Sequence, residues 1–381
     1  MHFITCVSVS AFSFKEKHLF APPLPKIGII FKSYEPLSSI RLYARRTEDL
    51  QLQGGFWFAE AYHWFRKYGY EARGAVACLA AAILETKTIP IGWGIGSPYL
   101  RHPTIQASEA CALDELSGGR FIMGMGAGKV GINYTEVDLQ DEPPVKVHRE
   151  TIDIFRHVVS GEPFSYRGQL YSSEMPGIDE ARRYHRDYIP VYIGATGPMM
   201  QRLAGEVADG LLLPGLTSPG FVRIAHKNMS EGFRKFDRLQ QDDFPLGGVI
   251  LCSIDRDGRK ARDGARRSAA IYVVNKVRNI KNDEILSSSG ISDTELAPLR
   301  QRIAEGNDDL TDLVTDAMLR QFGVVAGAPD EALEILQGLV DAGLNLPLME
   351  VVGANEADKL ATIDLIASEI VPNLKPARGV S

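Results

Sequence analysis

Residues 121–131 read FIMGMGAGKVG, and the fold turns on what those glycines do. Gly126, Gly128 and Gly131 match the dinucleotide fingerprint G-x-G-x-x-G. That fingerprint needs a helix directly after it, whose N-terminus meets a pyrophosphate. Here INYTEVDLQDEPP follows, with no helical period and a proline pair at its end. A Walker A loop needs Ser or Thr after Gly-Lys and a glycine five positions before Gly128; Val130 and Met123 stand there. Both phosphate readings fail on context. What remains is the end of a central strand whose backbone runs close to something flat. A flexible loop is the alternative that these residues leave open.

The surrounding chain supports the strand. Short apolar runs alternate with longer helical patterns. The runs are Ile27–Phe31, Phe56–Ala59, Ile89–Ile95, Phe121–Met125, Ile189–Gly194, Gly210–Pro214, Gly247–Ser253 and Leu348–Val352. Each is nearly continuous rather than alternating, as parallel strands buried on both faces are. Helical patterns fill the gaps. One begins at Ser38 or Ser39 as an N-cap, and another starts at Pro103 and stops at Gly118-Gly119. Eight such units predict a (β/α)8 TIM barrel, an α/β fold, rather than an open sheet. We expect one barrel domain over residues 26–375, with insertions near 161–188 and 275–323, lying over the C-terminal ends of the strands.

Composition excludes several classes. Of 381 residues, 45% are hydrophobic and 24% charged, with a net charge of -6 and the two signs interspersed. Neither nucleic acid nor a membrane is an expected partner. Cys6, Cys78, Cys111 and Cys252 form no C-x-x-C and read as reduced thiols of a cytoplasmic protein. The histidines form no H-x-H or H-E-x-x-H, so no metal site is expected. Residues 1–25 are expected to be a disordered extension, or the product of a start codon placed too far upstream.

Two further segments carry chemistry. In YIGATGPMMQRLAGEVADG, residues 192–210, a strand leads through Gly194-Ala195-Thr196-Gly197 into a helix with Pro198 at its first position. The first turn holds no acid, which suits a bound anion, though an ordinary βα loop would read the same. In IGWGIGSPYLRHP, residues 91–103, glycine alternates along a central strand. A bulge or an unusual peptide at Gly94-Ile95 would account for it, as would tight packing on a helix.

Together these segments resemble the bacterial luciferase-like superfamily, and within it the deazaflavin branch typified by methylenetetrahydromethanopterin reductase. The matching text is KIGIIFKSYEP (26–36), GWGIGSPYLRHP (92–103), ALDELSGGRFIMGMGAG (112–128), HRETIDIFRHVVSGEPFSYRGQLY (148–171) and PVYIGATGPMMQRLAGEVADGLLLP (190–214). The resemblance implies a barrel that binds coenzyme F420, or alternatively FMN, at the C-terminal strand ends and transfers hydride to or from a small organic substrate. It implies a non-proline cis peptide at Gly94-Ile95 backing the ring. It assigns the phosphate to Gly194, Ala195, Thr196 and Gly197, and the ring and substrate cavity to Gly126, Ala127 and Gly128. A homodimer through barrel helices is implied as well. An FMN monooxygenase would add a separate flavin reductase as partner, and a non-catalytic flavin-binding barrel is a further alternative.

The chain departs from the family where chemistry is usual. After the second strand many members carry Ser/Thr-Asp/Glu-His. Here Ala59, Glu60 and Ala61 precede Tyr62 and His63. Glu60 and His63 are the catalytic candidates for bonding the ring or moving a proton. Lys129 stands where some deazaflavin enzymes have Glu, and Ile30 where the reductase has Glu. Arg101 is expected to pair with Asp114 or Glu115. His148 and His157 are expected on a solvated helix face. Arg202 and Lys129 are the cations available to an anionic ligand tail.

Overall fold

The computed structural model describes residues 24–60, 66, 68–128, 139, 141–241, 243–278 and 283–378. Eight parallel strands close a barrel: β1 (Gly28–Lys32), β2 (Gly55–Ala59), β3 (Ile91–Gly96), β4 (Phe121–Gly126), then β7 (Val191–Gly194), β8 (Gly210–Leu213), β9 (Leu246–Ile254) and β11 (Leu346–Val351), which returns to β1. These are the eight strands read from the sequence, with ends displaced by about two residues or fewer. β5 (Phe164–Arg167) and β6 (Ser172–Met175) form an antiparallel hairpin in the first insertion. β10 (Val325–Gly327) pairs with the upper half of β9. The sequence pattern missed these three because each is too short to show a period.

Helices α1 (Leu37–Asp49), α2 (Ala75–Ile83), α3 (Pro103–Ser117), α4 (Pro144–Ser160), α5 (Pro198–Val207), α6 (Pro219–Lys235), α7 (Gly258–Arg278), α11 (Pro329–Asp341) and α12 (Glu356–Leu365) accompany the strands. The second insertion folds as α8 (Asp283–Ser288), α9 (Asp293–Ala304) and α10 (Asp316–Gln321). α3 starts and stops as its residues dictate. His102 accepts from the Thr104 N–H, Pro103 takes the first position, and Gly118 ends the helix at φ 66°. α1 corrects the sequence reading. Pro36, not a serine, precedes it, and Ser39 lies inside the helix, donating to Glu356 at 2.5 Å.

Outward-facing strand residues such as Ile29, Phe56, Ile91 and Met123 join the helices in the main core. Inward-facing Ile30, Trp57, Tyr192, Leu212, Leu346 and Leu348 fill the barrel. The alternation of glycine along β3 is thereby explained. A Cβ at Gly92 would lie 2.0 Å from the Trp57 ring, and one at Gly94 3.2 Å from it. A separate core, including Leu251, Ala265, Ala269, Leu299 and Phe322, ties α7–α10 to the strand ends.

His148 is fully buried rather than solvated, while His157 is exposed and stacks on Phe164. His148 Nδ1 contacts the Pro144 carbonyl at 2.7 Å, which places its proton on that nitrogen. Burial pushes its pKa down to about 4. The unfolded chain therefore binds the proton first as pH falls. The stability contributed by neutral His148 is complete above pH 6.5 and is lost on the way down to about 4. The loss is roughly 3 kcal/mol. Urea midpoints of His148→Gln are expected to fall less steeply than wild type over that window; parallel curves would refute the assignment.

Candidate functional site

Three groups of residues meet at the C-terminal ends of the strands. The first is a glycine-lined ridge. The Gly94-Ile95 peptide is cis, and the β3–β4 register shifts between Trp93 and Gly96. Gly126 and Gly194 are register partners on β4 and β7. A Cβ at either would lie 2.8 Å from the Ile95 side chain. The two glycines thus form the slot that holds Ile95, rather than simply a bare wall. Ser97 donates to the Ala127 carbonyl at 2.9 Å, and Gly128 turns at φ 58° against Ser97. The ridge continues through Ala195, buried and bonded to the Leu212 carbonyl, and Thr196, whose carbonyl accepts from Gln201.

It ends at Gly197, which precedes α5. Among the described residues no side chain caps this helix, and its first turn holds no acid. No described residue beyond its chain neighbours and its own helix lies within 4 Å of a Cβ built at Gly197. An uncapped N-terminus leaves peptide N–H donors and the positive end of the dipole for an anion. Arg202, offered above as a tail cation, is held by Glu231 at 2.7 Å. Lys129, Ala61, Tyr62 and His63 fall outside the described residues.

The second group centres on Glu60, at the end of β2. Arg101 donates to both of its carboxylate oxygens, at 2.8 and 2.9 Å, and is ion-paired with Glu109 at 3.0 Å. The guanidinium also lies 5.0 Å from the Trp93 ring centre. The expected partners of Arg101 are corrected: Asp114 is bound instead by Arg186, at 2.7 Å. Arg101 reaches across to the neighbouring strand end, which proximity in sequence did not reveal.

The third group was not anticipated. Glu350, buried on β11, accepts a hydrogen bond from the Tyr272 hydroxyl and is ion-paired with Lys32 at the end of β1. Lys32 Nζ lies 4.2 Å from the Tyr272 ring centre, and Tyr34 stacks on Tyr70 at 4.7 Å. Burial and the Glu350 charge push the Tyr272 and Tyr34 phenols well above their ordinary value. The lone carboxylate in LPLMEV and the lysine closing GIIFK were the available signs, since charge at the top of a barrel strand is seldom structural. Glu350 is the register partner of Ile30, the position where the resemblance expected an acid. Among the described residues no cluster of His, Cys, Asp and Glu could hold a metal, and no helix is long and apolar enough to cross a membrane.

A closed (β/α)8 barrel with this ridge and mouth defines a class, and sequence comparison agrees. The luciferase-like monooxygenase family model matches residues 18–346, and the chain belongs to that family. It is 30% identical over 353 residues to a 5,10-methylenetetrahydromethanopterin reductase of Archaeoglobus fulgidus, covering 92% of this chain and all of the relative. It is 31% identical to the reductase of that name from Methanopyrus kandleri, over 84% of this chain and 91% of the relative. The solved coenzyme F420-dependent tetrahydromethanopterin reductase of Methanopyrus kandleri superposes with a TM-score of 0.78. That structure is 26% identical, and the match spans 93% of this chain and 100% of that one.

Proposed function

We propose that the chain is a coenzyme F420-dependent oxidoreductase acting on a small organic substrate, as its reductase relatives' names describe. The observation that carries this reading is the ridge: Ile95 clamped between Gly126 and Gly194, running into the uncapped start of α5. The donor set fits the group. Gly194–Gly197 and the first turn of α5 would hold an anionic tail, and Ile95 would back a planar ring. Gly126, Ala127 and Gly128 would border the cavity. The deazaflavin supplies two-electron hydride chemistry, and the protein orients it and excludes water. Glu60, fixed by Arg101, and His63 remain proposed contributors at the edge of the ring. The whole stretch 26–375 would act as one domain, in the cytoplasm.

We further infer a homodimer through α2. Val76, Ala77, Ala80, Ala81 and Leu84 leave an apolar face of that helix partly or fully exposed, and a helix apolar all round is usually covered.

One experiment tests these readings. Fluorescence-quench titration with F420 and with FMN, side by side, is expected to give micromolar or tighter F420 binding and weak FMN binding. FMN also ends in a phosphate and would fit the start of α5. The reverse preference would move the protein to the FMN monooxygenases with a separate reductase. Absence of both would remove the cofactor assignment. Sedimentation of the same preparation reads the assembly, and a monomer would remove the dimer.

A further inference from the structure

A cleft opens at the barrel mouth, lined by Lys32, Tyr34, Tyr70, Ser268, Ile271 and Tyr272. Its floor is the network around Glu350. We propose that Glu350 is the proton-transfer group of this mouth, and that the Tyr272 hydroxyl is the atom through which the substrate's proton reaches it. The inference rests on the oxidoreductase reading, because a substrate that exchanges hydride at carbon commonly exchanges a proton at a neighbouring oxygen or nitrogen.

The geometry points there for three reasons. Tyr272 both lines the cleft and donates to Glu350, so its one hydroxyl proton links the cleft to a buried carboxylate. Lys32 is ion-paired with the same carboxylate and lies over the Tyr272 ring, which fixes the carboxylate in place. The other buried carboxylates near the mouth are tied elsewhere: Glu60 to Arg101, and Glu35 to Lys359 of α12 at 2.5 Å. Retention of a buried ion pair inside an apolar strand calls for a reason other than stability, because apolar replacements are often as stable.

The step balances without a redox partner. The substrate's O–H or N–H bond breaks as a new bond forms to the Tyr272 oxygen. The former Tyr272 proton moves to Oε2 of Glu350, which becomes neutral beside the Lys32 ammonium. No electrons are gained or lost by the protein. The reverse direction delivers the proton. Among the described residues, the titratable groups around Glu350 are Lys32 and Tyr34 from the β1 end, Tyr70 after β2, and Tyr272 from α7, with Arg267 of α7 on the cleft wall.

The test has two arms. In the apoprotein, ultraviolet difference titration follows tyrosine ionisation. Glu350→Gln removes the charge that, added to burial, holds the Tyr272 and Tyr34 phenols up, so both are expected to ionise at lower pH. The Tyr272 part of that increment should vanish in the Glu350→Gln, Tyr272→Phe double variant, leaving only the part that belongs to Tyr34. No shift would overturn the coupling, whether or not any cofactor binds. In the F420-loaded protein, assayed with methylenetetrahydromethanopterin, Glu350→Gln is expected to keep the F420 dissociation constant within about twofold while kcat falls about 100-fold. One limb of the kcat–pH profile should disappear, and Glu350→Asp should restore part of the rate. An unchanged kcat and profile with F420 bound would overturn the proposal. Failure of the wild type to bind F420 would instead sink the cofactor reading, leaving the apoprotein arm to decide the coupling.

Discussion

Gly197→Asp is expected to leave the fold intact and to weaken cofactor binding about 100-fold or more. Gly197 sits at φ -93°, ψ 157°, an extended conformation open to any residue, and a Cβ there meets none of the described residues. An aspartate at this N-cap would accept from the first free N–H groups of α5 and favour the helix by a few tenths of a kcal/mol over glycine. The same carboxylate would take the donors that a phosphate needs and repel its charge, a penalty of several kcal/mol. Stability and binding should therefore move in opposite directions. Gly197→Asn separates charge from size: it caps equally well, and its binding should fall less. Quench titration beside thermal unfolding reads both. Aspartate and wild type binding F420 alike would show that the phosphate lies elsewhere.

Arg101→Ala is expected to cost about 3–5 kcal/mol of stability, as breaking a buried ion pair on one side does. The Glu60 side chain is only 4% exposed, and both of its oxygens depend on this guanidinium. Glu109 loses the same partner. Burial already holds the Glu109 carboxyl above its ordinary value, outweighing the pull of Arg101 in the other direction. A carboxyl raised in the folded state binds its proton more readily there than in the unfolded chain. The penalty of Arg101→Ala should thus be largest at neutral pH and shrink as the solution is acidified. Chemical denaturation at neutral and acidic pH measures both. An Arg101→Met, Glu60→Leu double variant should recover part of the loss, since it leaves no unpaired charge on β2. A loss below 1 kcal/mol in Arg101→Ala would mean that water reaches Glu60 freely.

The strands were legible because residues such as Ile29, Ile91 and Val191 are apolar on faces that both end up buried. The helix ends were legible where Pro103, Pro198 and Pro329 open a helix and Gly118 closes one. The mouth was not. Lys32 and Glu350 stand at opposite ends of the chain and meet only because β11 returns to β1. The partner of Arg101 was sought one helix away in sequence, but that helix turns Asp114 toward Arg186. His148 was misplaced for a related reason: Tyr99 and the first insertion, including Leu170, pack over that end of α4, and helical period cannot foretell a cover from elsewhere. The cis peptide at Gly94-Ile95 came from family resemblance rather than from residue chemistry.

Ile95, Gly126 and Gly194 have a consequence for inheritance. The isoleucine fills space that each glycine leaves free, so the three positions cannot drift independently. Alanine at 126 or 194 meets Ile95, while trimming Ile95 alone empties the slot. Only paired changes conserve volume. Among descendants of this chain the three residues should covary as one unit, and the effect of any one substitution will depend on which ancestor received it.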